Sequence, residues 1–317
     1  MFLNSYWIVL CRPVGEETTT MISLVDTNPK KDPMDFSMLN IKEFCADWKA
    51  SLKDRLDGQG ALYIIQVGDN EASTRYVRNK VKDAGEVGLE ANVVKLPEDV
   101  TQEEAEQHLQ NIVLENASRP CGIIIQLPLP AHLDKDRLTD LIPSRMDVDG
   151  FKLGSPYFPC TPAGIVYYLN ACNFRFDGAH VVIIGRSEIV GKPLAKMLTD
   201  MNCTVTLCHS HTKNLAQHIY HCDLIVCAVG KASFLNCYPI YVPVIDVGIN
   251  FNAEGKLVGD CINTEGRQVT PVPGGVGLLT RCALMENMAK AVADWKWDNN
   301  PLKDLIMDLP LLDLGEE

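Results

Sequence analysis

A short apolar run near the middle of the chain ends in a glycine turn and continues as a helical pattern. It reads Val181-Val-Ile-Ile-Gly185-Arg-Ser187-Glu-Ile-Val-Gly191-Lys-Pro193. In such a strand, turn and helix, backbone N–H groups at the helix N-terminus can face a pyrophosphate, and glycines permit an approach that a Cβ would obstruct. The spacing Gly185-x-Ser187-x-x-x-Gly191 differs from the usual G-x-G-x-x-G pattern, so a plain strand-to-helix connection stays open as an alternative.

The length and the hydrophobic content favour two domains. With 317 residues and 46% hydrophobic content, the chain can bury two cores of ordinary domain size. We expect an α/β protein with two α/β domains that flank a cleft, the second a Rossmann-like NAD(P)-binding domain. The first is predicted to cover residues 1–160, with an irregular extension over 1–39, and residues 279–317 are predicted to pack back on it. The second covers residues 161–278.

Strand and helix patterns alternate through both predicted domains. In the first, a helix begins near Asn40, strands cover 61–67, 91–96 and 122–127, and helices cover 71–87 and the stretch after the capping box at Thr101. In the second, strands begin at Val181, Cys203, Leu224 and Val244, helices begin at Ile189 and near Asn214, and a last helix covers 277–295. Such alternation predicts parallel sheets with right-handed crossovers. Residues 143–162 lack a periodic run and are predicted to connect the domains.

Charge, cysteine usage and the N-terminal residues limit the partners and the compartment. The net charge of −12 and the pI near 5.1 argue against nucleic-acid binding, which depends on clustered Lys and Arg. Twelve scattered cysteines in a chain of this length favour a reducing compartment. The apolar first eleven residues lack a basic start and are too short to span a bilayer, so no membrane anchor is predicted. We predict a cytoplasmic protein; a cleaved targeting segment leaves a mitochondrial location open.

Ser73, Tyr76 and Lys80 lie at positions i, i+3 and i+7 of a predicted helix, so their side chains project from one face. A solvated face with an exposed Lys80 is one explanation. The other is a ligand site, because the helix follows the C-terminal end of a buried strand, where open α/β sheets bind their ligands. In a partly desolvated cleft beside a cationic substrate, a lysine favours its neutral form and can act as a base.

Two further polar residues border the same predicted cleft. Gln126 ends the third predicted strand, and Asp149 precedes Gly150 in the connecting segment. Each has an ordinary explanation, as a strand end and as a turn residue. Asp149 can alternatively accept hydrogen bonds from a heterocycle that is rich in N–H groups.

The second strand of the Rossmann-like domain ends without a carboxylate. An NAD site usually has an acidic residue there for the ribose 2′-hydroxyl, whereas this chain has Cys208-His-Ser-His-Thr212. Ser210 and Arg186 can instead bind a 2′-phosphate, so we predict NADP rather than NAD. The neighbouring histidines do not predict a metal site, because no Cys-x-x-Cys pair or well-spaced third ligand set accompanies them.

Six motifs occur in order along the chain. They are Ser73-x-x-Tyr76-x-x-x-Lys80, Gln126-Leu-Pro-Leu-Pro130, Asp147-Val-Asp-Gly150, Pro159-Cys-Thr-Pro162, Gly185-Arg-Ser-x-x-Val-Gly-x-Pro193 and Pro273-Gly-Gly-Val-Gly277. The last of these can be a cradle for a cofactor or substrate, or a simple loop. Together the six motifs resemble the bifunctional methylenetetrahydrofolate dehydrogenase/methenyltetrahydrofolate cyclohydrolase family, from about Asn40 to Trp295.

The resemblance implies NADP-dependent oxidation of 5,10-methylenetetrahydrofolate to the methenyl cation, and its hydrolysis to 10-formyltetrahydrofolate, by a homodimer. By motif match, Lys80 is the central catalytic residue, Gln126 assists it, Tyr76 stacks on the folate and Asp149 holds the pterin. The candidate residues are Lys80, Gln126, Tyr76 and Ser73 for catalysis, Tyr76, Asp149, Gly274 and Gly275 for the substrate, and Gly185, Arg186, Ser187, Gly191 and Ser210 for NADP.

Two positions depart from the family's pattern. Met146 replaces the usual lysine before Asp-Val-Asp-Gly, and Leu278-Leu279 replaces the usual Pro-Met after the glycines. We expect these changes to affect substrate affinity and loop shape. A dehydrogenase with weak cyclohydrolase activity is therefore an alternative function, and a catalytically silent folate- or nucleotide-binding protein is a third.

Overall fold

The computed structural model describes residues 37–238, 242–261 and 268–299. Residues 1–36 of the predicted extension and the acidic tail beyond residue 299 lie outside this part. The described helices and strands are α1 (Ile41–Leu56), β1 (Ala61–Val67), α2 (Glu71–Glu86), β2 (Glu90–Leu96), α3 (Gln102–Glu115), β3 (Cys121–Ile125), α4 (Lys135–Leu141), α5 (Cys160–Ala171), β4 (His180–Ile184), α6 (Gly191–Asp200), β5 (Thr204–Cys208), α7 (Leu215–Ile219), β6 (Leu224–Cys227), β7 (Val244–Asp246), β8 (Asn250–Phe251), β9 (Leu257–Val258) and α8 (Val276–Asp298). None of the described helices has the length and apolar character that crossing a bilayer requires.

The first sheet has three parallel strands in the order β2-β1-β3. β3 is buried at all five positions, which explains its continuous apolar sequence. The crossovers from β1 to β2 and from β2 to β3 each carry a helix, as the alternating pattern predicted. Because Ile65 of β1 pairs with Ile125, the last residue of β3, Gln126 follows β3 at the same edge of the sheet at which β1 ends.

The second sheet has four parallel strands in the order β5-β4-β6-β7. Its strands β4 and β6 are almost entirely buried at the centre of the sheet. The strands predicted near Val181, Cys203, Leu224 and Val244 therefore form one Rossmann-like sheet, and the α/β fold class is confirmed. A short antiparallel pair, β8 and β9, was not predicted, since strands of two residues are too short to show a period.

Helix α8 lies against α1 and α5 of the folded chain. Glu286 of α8 accepts two hydrogen bonds of 2.8 Å from the guanidinium group of Arg55 in α1. The side-chain amide of Asn287 donates to the carbonyl oxygens of Val148 and Phe158, both at 2.9 Å. The last described helix thus joins α1 to the segment that carries Asp149.

Two helices, α4 and α5, were not predicted. Helix α5 begins at Cys160, at the end of the segment that we interpreted as an irregular connection. Eight of its twelve residues are buried, so the helix has no polar face and its sequence shows no amphipathic period. Helix α4 spans seven residues, which is too short for a reliable period.

Two predicted boundaries were also wrong. Strand β3 ends at Ile125, although the N–H of Gln126 still donates to Ile65 O at 2.8 Å. Helix α6 begins at Gly191 rather than at residue 189. The reason is local: Ser187 Oγ accepts the N–H groups of Val190 at 3.2 Å and of Gly191 at 3.4 Å, so the chain stays in a turn until Gly191.

Candidate active site

A cavity of about 720 Å³ lies between α2 and the glycine-rich loop that precedes α8. Tyr76 and Asn79 of α2 line one side, and Gly274, Gly275 and Arg281 line another. A cavity of this volume fits a small organic ligand. The predicted substrate residues Tyr76, Gly274 and Gly275, which come from distant parts of the sequence, therefore share one cavity.

Helix α2 turns its polar stripe toward the protein rather than toward bulk solvent. Asn70 Oδ1 caps the helix by accepting the N–H of Ser73 at 3.0 Å, and Val77 anchors it in the core. Ser73 is buried, whereas Tyr76 and Lys80 are half-buried. Ser73 Oγ is a buried side-chain oxygen without a hydrogen-bond partner in the described structure, which identifies a polar position that a ligand or a water molecule can satisfy. A simply solvated stripe, the alternative explanation, does not describe this face.

Lys80 and Gln126 meet at the carboxyl edge of the first sheet. Lys80 Nζ donates to Gln126 Oε1 at 3.1 Å. Gln126 Nε2 donates to Leu127 O at 2.7 Å, and this bond turns the side-chain oxygen toward the lysine. The ammonium group of Lys80 is thus oriented by a neutral amide. The group can therefore still exchange a proton with a bound ligand.

Asp149 lies beside this pair and is only 9% exposed. Burial raises the pKa of its carboxyl group, and the positive charge of Lys80 opposes the shift. The Cys160 thiol lies 3.8 Å from Asp149 Oδ1 and is a weak donor. A carboxylate with four acceptor positions therefore keeps capacity for the N–H groups of a ligand. The structure brings Lys80, Gln126 and Asp149 together, as the sequence predicted.

The glycines of the predicted nucleotide-binding turn pack backbone against backbone. A Cβ added at Gly191 would lie 1.9 Å from Gly185 O, and a Cβ added at Gly185, where φ is +121°, would lie 2.3 Å from Ala228 O. Both positions therefore require glycine. The hydroxyl of Ser187 accepts the N–H groups of Val190 and Gly191 in the turn before α6, so it has a structural role even before any ligand binds.

Arg186 and Ser210 are exposed near the ends of β4 and β5. The last residues of these strands, Ile184 and Cys208, pair with each other, so the segments that carry Arg186 and Ser210 begin side by side. Partial burial and the charge of Arg186 lower the pKa of the His209 imidazole. A guanidinium group and a hydroxyl group at such an edge fit a phosphate group. In the described part of the chain, no three His, Cys, Asp or Glu side chains are grouped as a metal ion would require.

Arg281 lines the cavity but was not predicted. Its Nη1 lies 2.9 Å from Asp83 Oδ2, and only 14% of its side chain is exposed. The available signal was a charged residue in the second turn of a helix whose first turn is apolar. Asn287, which supports the Asp149 segment, has no sequence signal of its own because its two acceptors are backbone carbonyls.

Comparison with known proteins decides the family. A model of the tetrahydrofolate dehydrogenase/cyclohydrolase catalytic domain matches residues 39–149, and a model of the NAD(P)-binding domain of the same family matches residues 159–296. The chain belongs to this family. The bifunctional protein FolD of Agathobacter rectalis is 41% identical over 249 residues, which cover 74% of this chain and 88% of that protein. FolD of Oceanobacillus iheyensis is 39% identical over 276 residues, 80% and 96% of the two chains.

Solved structures of the tetrahydrofolate dehydrogenase/cyclohydrolase family agree. The bifunctional FolD enzyme from Campylobacter jejuni aligns with a TM-score of 0.76 at 38% identity, covering 81% of this chain and 99% of that one. FolD from Trypanosoma brucei, solved with NADP and an inhibitor, aligns with a TM-score of 0.73 at 28% identity, covering 81% and 97%. The predicted family, the predicted dehydrogenase and cyclohydrolase activities and the predicted NADP cofactor are thereby confirmed.

The two departures from the family's pattern differ in their distance from the cavity. Met146 is 1% exposed in the core beside β3 and is not among the residues that line the cavity. Leu279 is fully buried, and its carbonyl packs against Gly164 of α5. Leu278 does line the cavity. The expected effect on loop shape therefore rests on Leu278, whereas Met146 replaces a charge with a core contact.

Proposed function

We propose that Asp149, Tyr76, Lys80 and Gln126 bind the folate and carry out its hydrolysis. The observation that carries this proposal is the hydrogen bond of 3.1 Å between Lys80 and Gln126 beside the buried Asp149. Asp149 accepts N–H groups of the pterin, and the half-buried ring of Tyr76 stacks on the aromatic part of the substrate. Bound NADP accepts a hydride from the methylene carbon, and these side chains hold that carbon in place.

In the hydrolysis, the methenyl cation reacts with one water molecule. The water oxygen forms a bond to the methenyl carbon while the amine of Lys80 accepts a proton from the water. The bond from this carbon to N5 then breaks, and N5 keeps the electron pair and receives the proton from Lys80. The hydroxyl proton leaves as the formyl C=O bond forms on N10, so each turnover releases one proton. Replacing Lys80 while the methenyl absorbance is followed tests this assignment.

Gly185, Ser187 and Gly191 form the proposed pyrophosphate turn, and Arg186 and Ser210 form the proposed 2′-phosphate site. Two observations support this assignment. The turn is tight enough to exclude a Cβ at both glycines, and the exposed residues Arg186 and Ser210 both lie two positions after the paired strand ends Ile184 and Cys208. A guanidinium group is the side chain best suited to a phosphate dianion.

Arg186→Ala is expected to raise the KM for NADP about 10- to 100-fold, since a hydrogen bond to a charged group contributes about 1.5–3 kcal/mol. The KM for NAD, which has no 2′-phosphate, should change little. Dehydrogenase rates measured with both nucleotides check this. Arg175→Ala, at an exposed arginine before β4, is the matched control. Equal losses with NADP and NAD would contradict the assignment.

The homodimer that the resemblance implies is also a proposal. β2 is an edge strand with a partner on one side, and its residue Val93 is 43% exposed. An exposed strand that is paired on only one side can form backbone hydrogen bonds with a strand of a second chain. We therefore infer that β2 belongs to the subunit interface.

Sedimentation equilibrium is expected to give twice the chain mass of 35.1 kDa. Val93→Asp places a charge on the edge of β2 and is expected to shift the mass toward that of one chain. Thr204→Asp, at an exposed position of β5, an edge strand of the second sheet, is the control and should leave the mass unchanged. A parent protein that sediments as a single chain would rule out the dimer.

The domain division at residues 160 and 161 stays a prediction, as does the packing of residues 279–317 on the first domain. The packing is supported by the contacts of α8 with α1 and with the segment that carries Asp149. The cytoplasmic location, with a mitochondrial alternative, also stays a prediction. The ten cysteines of the described chain that carry free thiols support a reducing compartment.

A further inference from the structure

A second cavity, of about 270 Å³, lies at the other end of β3 from the proposed active site. Cys121, the first residue of β3, lines it, whereas Gln126 follows the last residue of that strand. Helix α8 forms another wall of this second cavity through Ala291, Asp294 and Trp295. The second cavity shares no lining residue with the 720 Å³ cavity, so each can hold a ligand while the other is occupied.

The floor of the second cavity is apolar. Cys121, Met146 and Ala291 are all buried, and Trp295 is half-buried beside them. Burial raises the pKa of the Cys121 thiol to about 12, so the thiol stays neutral and behaves as a small apolar side chain. A ligand of this cavity therefore gains from an apolar group at its inner end.

Two arginines line the second cavity, and they differ in the partners they already have. The nitrogens of Arg119 donate at 2.7 to 3.2 Å to side-chain oxygens of Asn116, Glu90 and Tyr63. Arg145 is exposed, and its Nη2 makes one long hydrogen bond of 3.5 Å to Ala117 O. No carboxylate among the described residues forms an ion pair with Arg145. Its guanidinium group therefore keeps donors for a ligand carboxylate.

Asp294 supplies the opposite charge from α8. It is exposed, and within the described ranges no Lys or Arg forms an ion pair with it. Partial burial and the charge of Asp298 raise the pKa of the Asp294 carboxyl group, and the charge of Lys290 opposes the shift. An ammonium group that arrives beside Asp294 would stabilise its charged form.

Tyr157 shows that the two charges face the same place. Its hydroxyl group donates to Arg145 O at 3.0 Å, and its side chain is buried in the wall of the second cavity. Burial and the charge of Asp294 raise the pKa of Tyr157, whereas the charge of Arg145 opposes the shift. A cation and an anion thus act on one phenol group, although no ion pair joins them in the described structure.

We propose that the second cavity binds an α-amino acid with an apolar side chain. Arg145 binds the carboxylate, Asp294 binds the ammonium group, and the side chain packs on Cys121, Met146 and Ala291. A ligand that carries both charges satisfies both walls at once. An ion of one sign pairs with one wall and is repelled by the other.

The test is calorimetry on the full chain with L-leucine and two analogues of the same shape. Isocaproate is leucine without the ammonium group, and isoamylamine is leucine without the carboxylate. Leucine is expected to bind with a dissociation constant of about 1 mM, and each analogue about tenfold more weakly, because each loses one charge-assisted contact. L-Serine should also bind more weakly than leucine, since its hydroxyl group would face the apolar floor.

Two variants assign the two charges separately. Arg145→Leu is expected to weaken leucine binding about fivefold or more and to remove its advantage over isoamylamine, whereas Asp294→Asn should remove its advantage over isocaproate. Both side chains are exposed, so both variants are expected to fold. Arg175→Leu and Asp54→Asn, at exposed positions that do not line the second cavity, are the controls and should bind leucine like the parent.

Three outcomes would overturn the proposal. The first is the absence of leucine binding at concentrations about tenfold above the expected dissociation constant. The second is equal binding of leucine and its two analogues, or parent affinity in both Arg145→Leu and Asp294→Asn. The third is competition between tetrahydrofolate and leucine, which would place leucine in the 720 Å³ cavity. The proposed function is tested separately, because the hydrolysis of methenyltetrahydrofolate is measured without any amino acid present.

Discussion

Lys80→Gln is expected to lower the rate of methenyltetrahydrofolate hydrolysis by about 10²–10⁴-fold, the usual contribution of a positioned acid–base group. The amide is similar in length to part of the lysine side chain but cannot accept a proton from water. Gln126 would keep its bond to Leu127 O, so the local structure should survive. The measurement is the decay of methenyl absorbance at fixed pH with no nucleotide present.

Two comparisons make this result specific to Lys80. Lys82→Gln lies two residues farther along α2, is 73% exposed beside Glu86 and should hydrolyse the substrate at the parent rate. Oxidation by NADP depends mainly on the positions of the two reactants, so Lys80→Gln should retain more of its dehydrogenase rate than of its hydrolysis rate. Hydrolysis by Lys80→Gln at the parent rate would show that another group activates the water.

Gly191→Ala is expected to raise the KM for NADP by about 100-fold, which corresponds to about 3 kcal/mol of overpacking. The added Cβ would lie 1.9 Å from Gly185 O, a backbone atom that cannot rotate away, and the position of a Cβ is itself fixed by the backbone. The turn and the start of α6 must shift together. Dehydrogenase rates at increasing NADP concentration measure the effect.

The hydrolysis of methenyltetrahydrofolate provides an internal control, because Lys80 of α2 and Gln126 after β3 lie at the edge of the first sheet and need no nucleotide. It should proceed near the parent rate in Gly191→Ala. Gly85→Ala is the matched glycine replacement: its Cβ would have no atom within 4 Å, and alanine in a helix costs less than glycine. Normal NADP use by Gly191→Ala would mean that the turn is not the pyrophosphate site.

The sequence predicted those parts of the fold that depend on periodicity and turns. The alternation of strands and helices was sufficient to predict both parallel sheets. Gln126 follows one strand, and the helix that carries Ser73, Tyr76 and Lys80 begins just after another. These positions were sufficient to place the four residues at one edge of the sheet. These predictions work because neighbouring parallel strands end on the same side of a sheet, whatever the rest of the chain does.

Features that depend on packing between distant segments were missed. Helix α5 is buried on most sides and shows no period, and Asn287 acts on backbone carbonyls more than a hundred residues away. Arg281 and Asp83 are separated by the whole nucleotide-binding region, so no local pattern relates them. Ser187 lies in the predicted turn, but its hydroxyl accepts backbone N–H groups of that turn, which the sequence did not predict.

The bridge from Asn287 to Val148 and Phe158 has a consequence for biosynthesis. The segment that carries Asp149 leaves the ribosome more than one hundred residues before the helix that fastens it. A nascent chain can therefore complete its second sheet while the proposed pterin site is still open along one side. Synthesis of α8 closes that side, so we expect the ability to retain folate to arise only after α8 has been made.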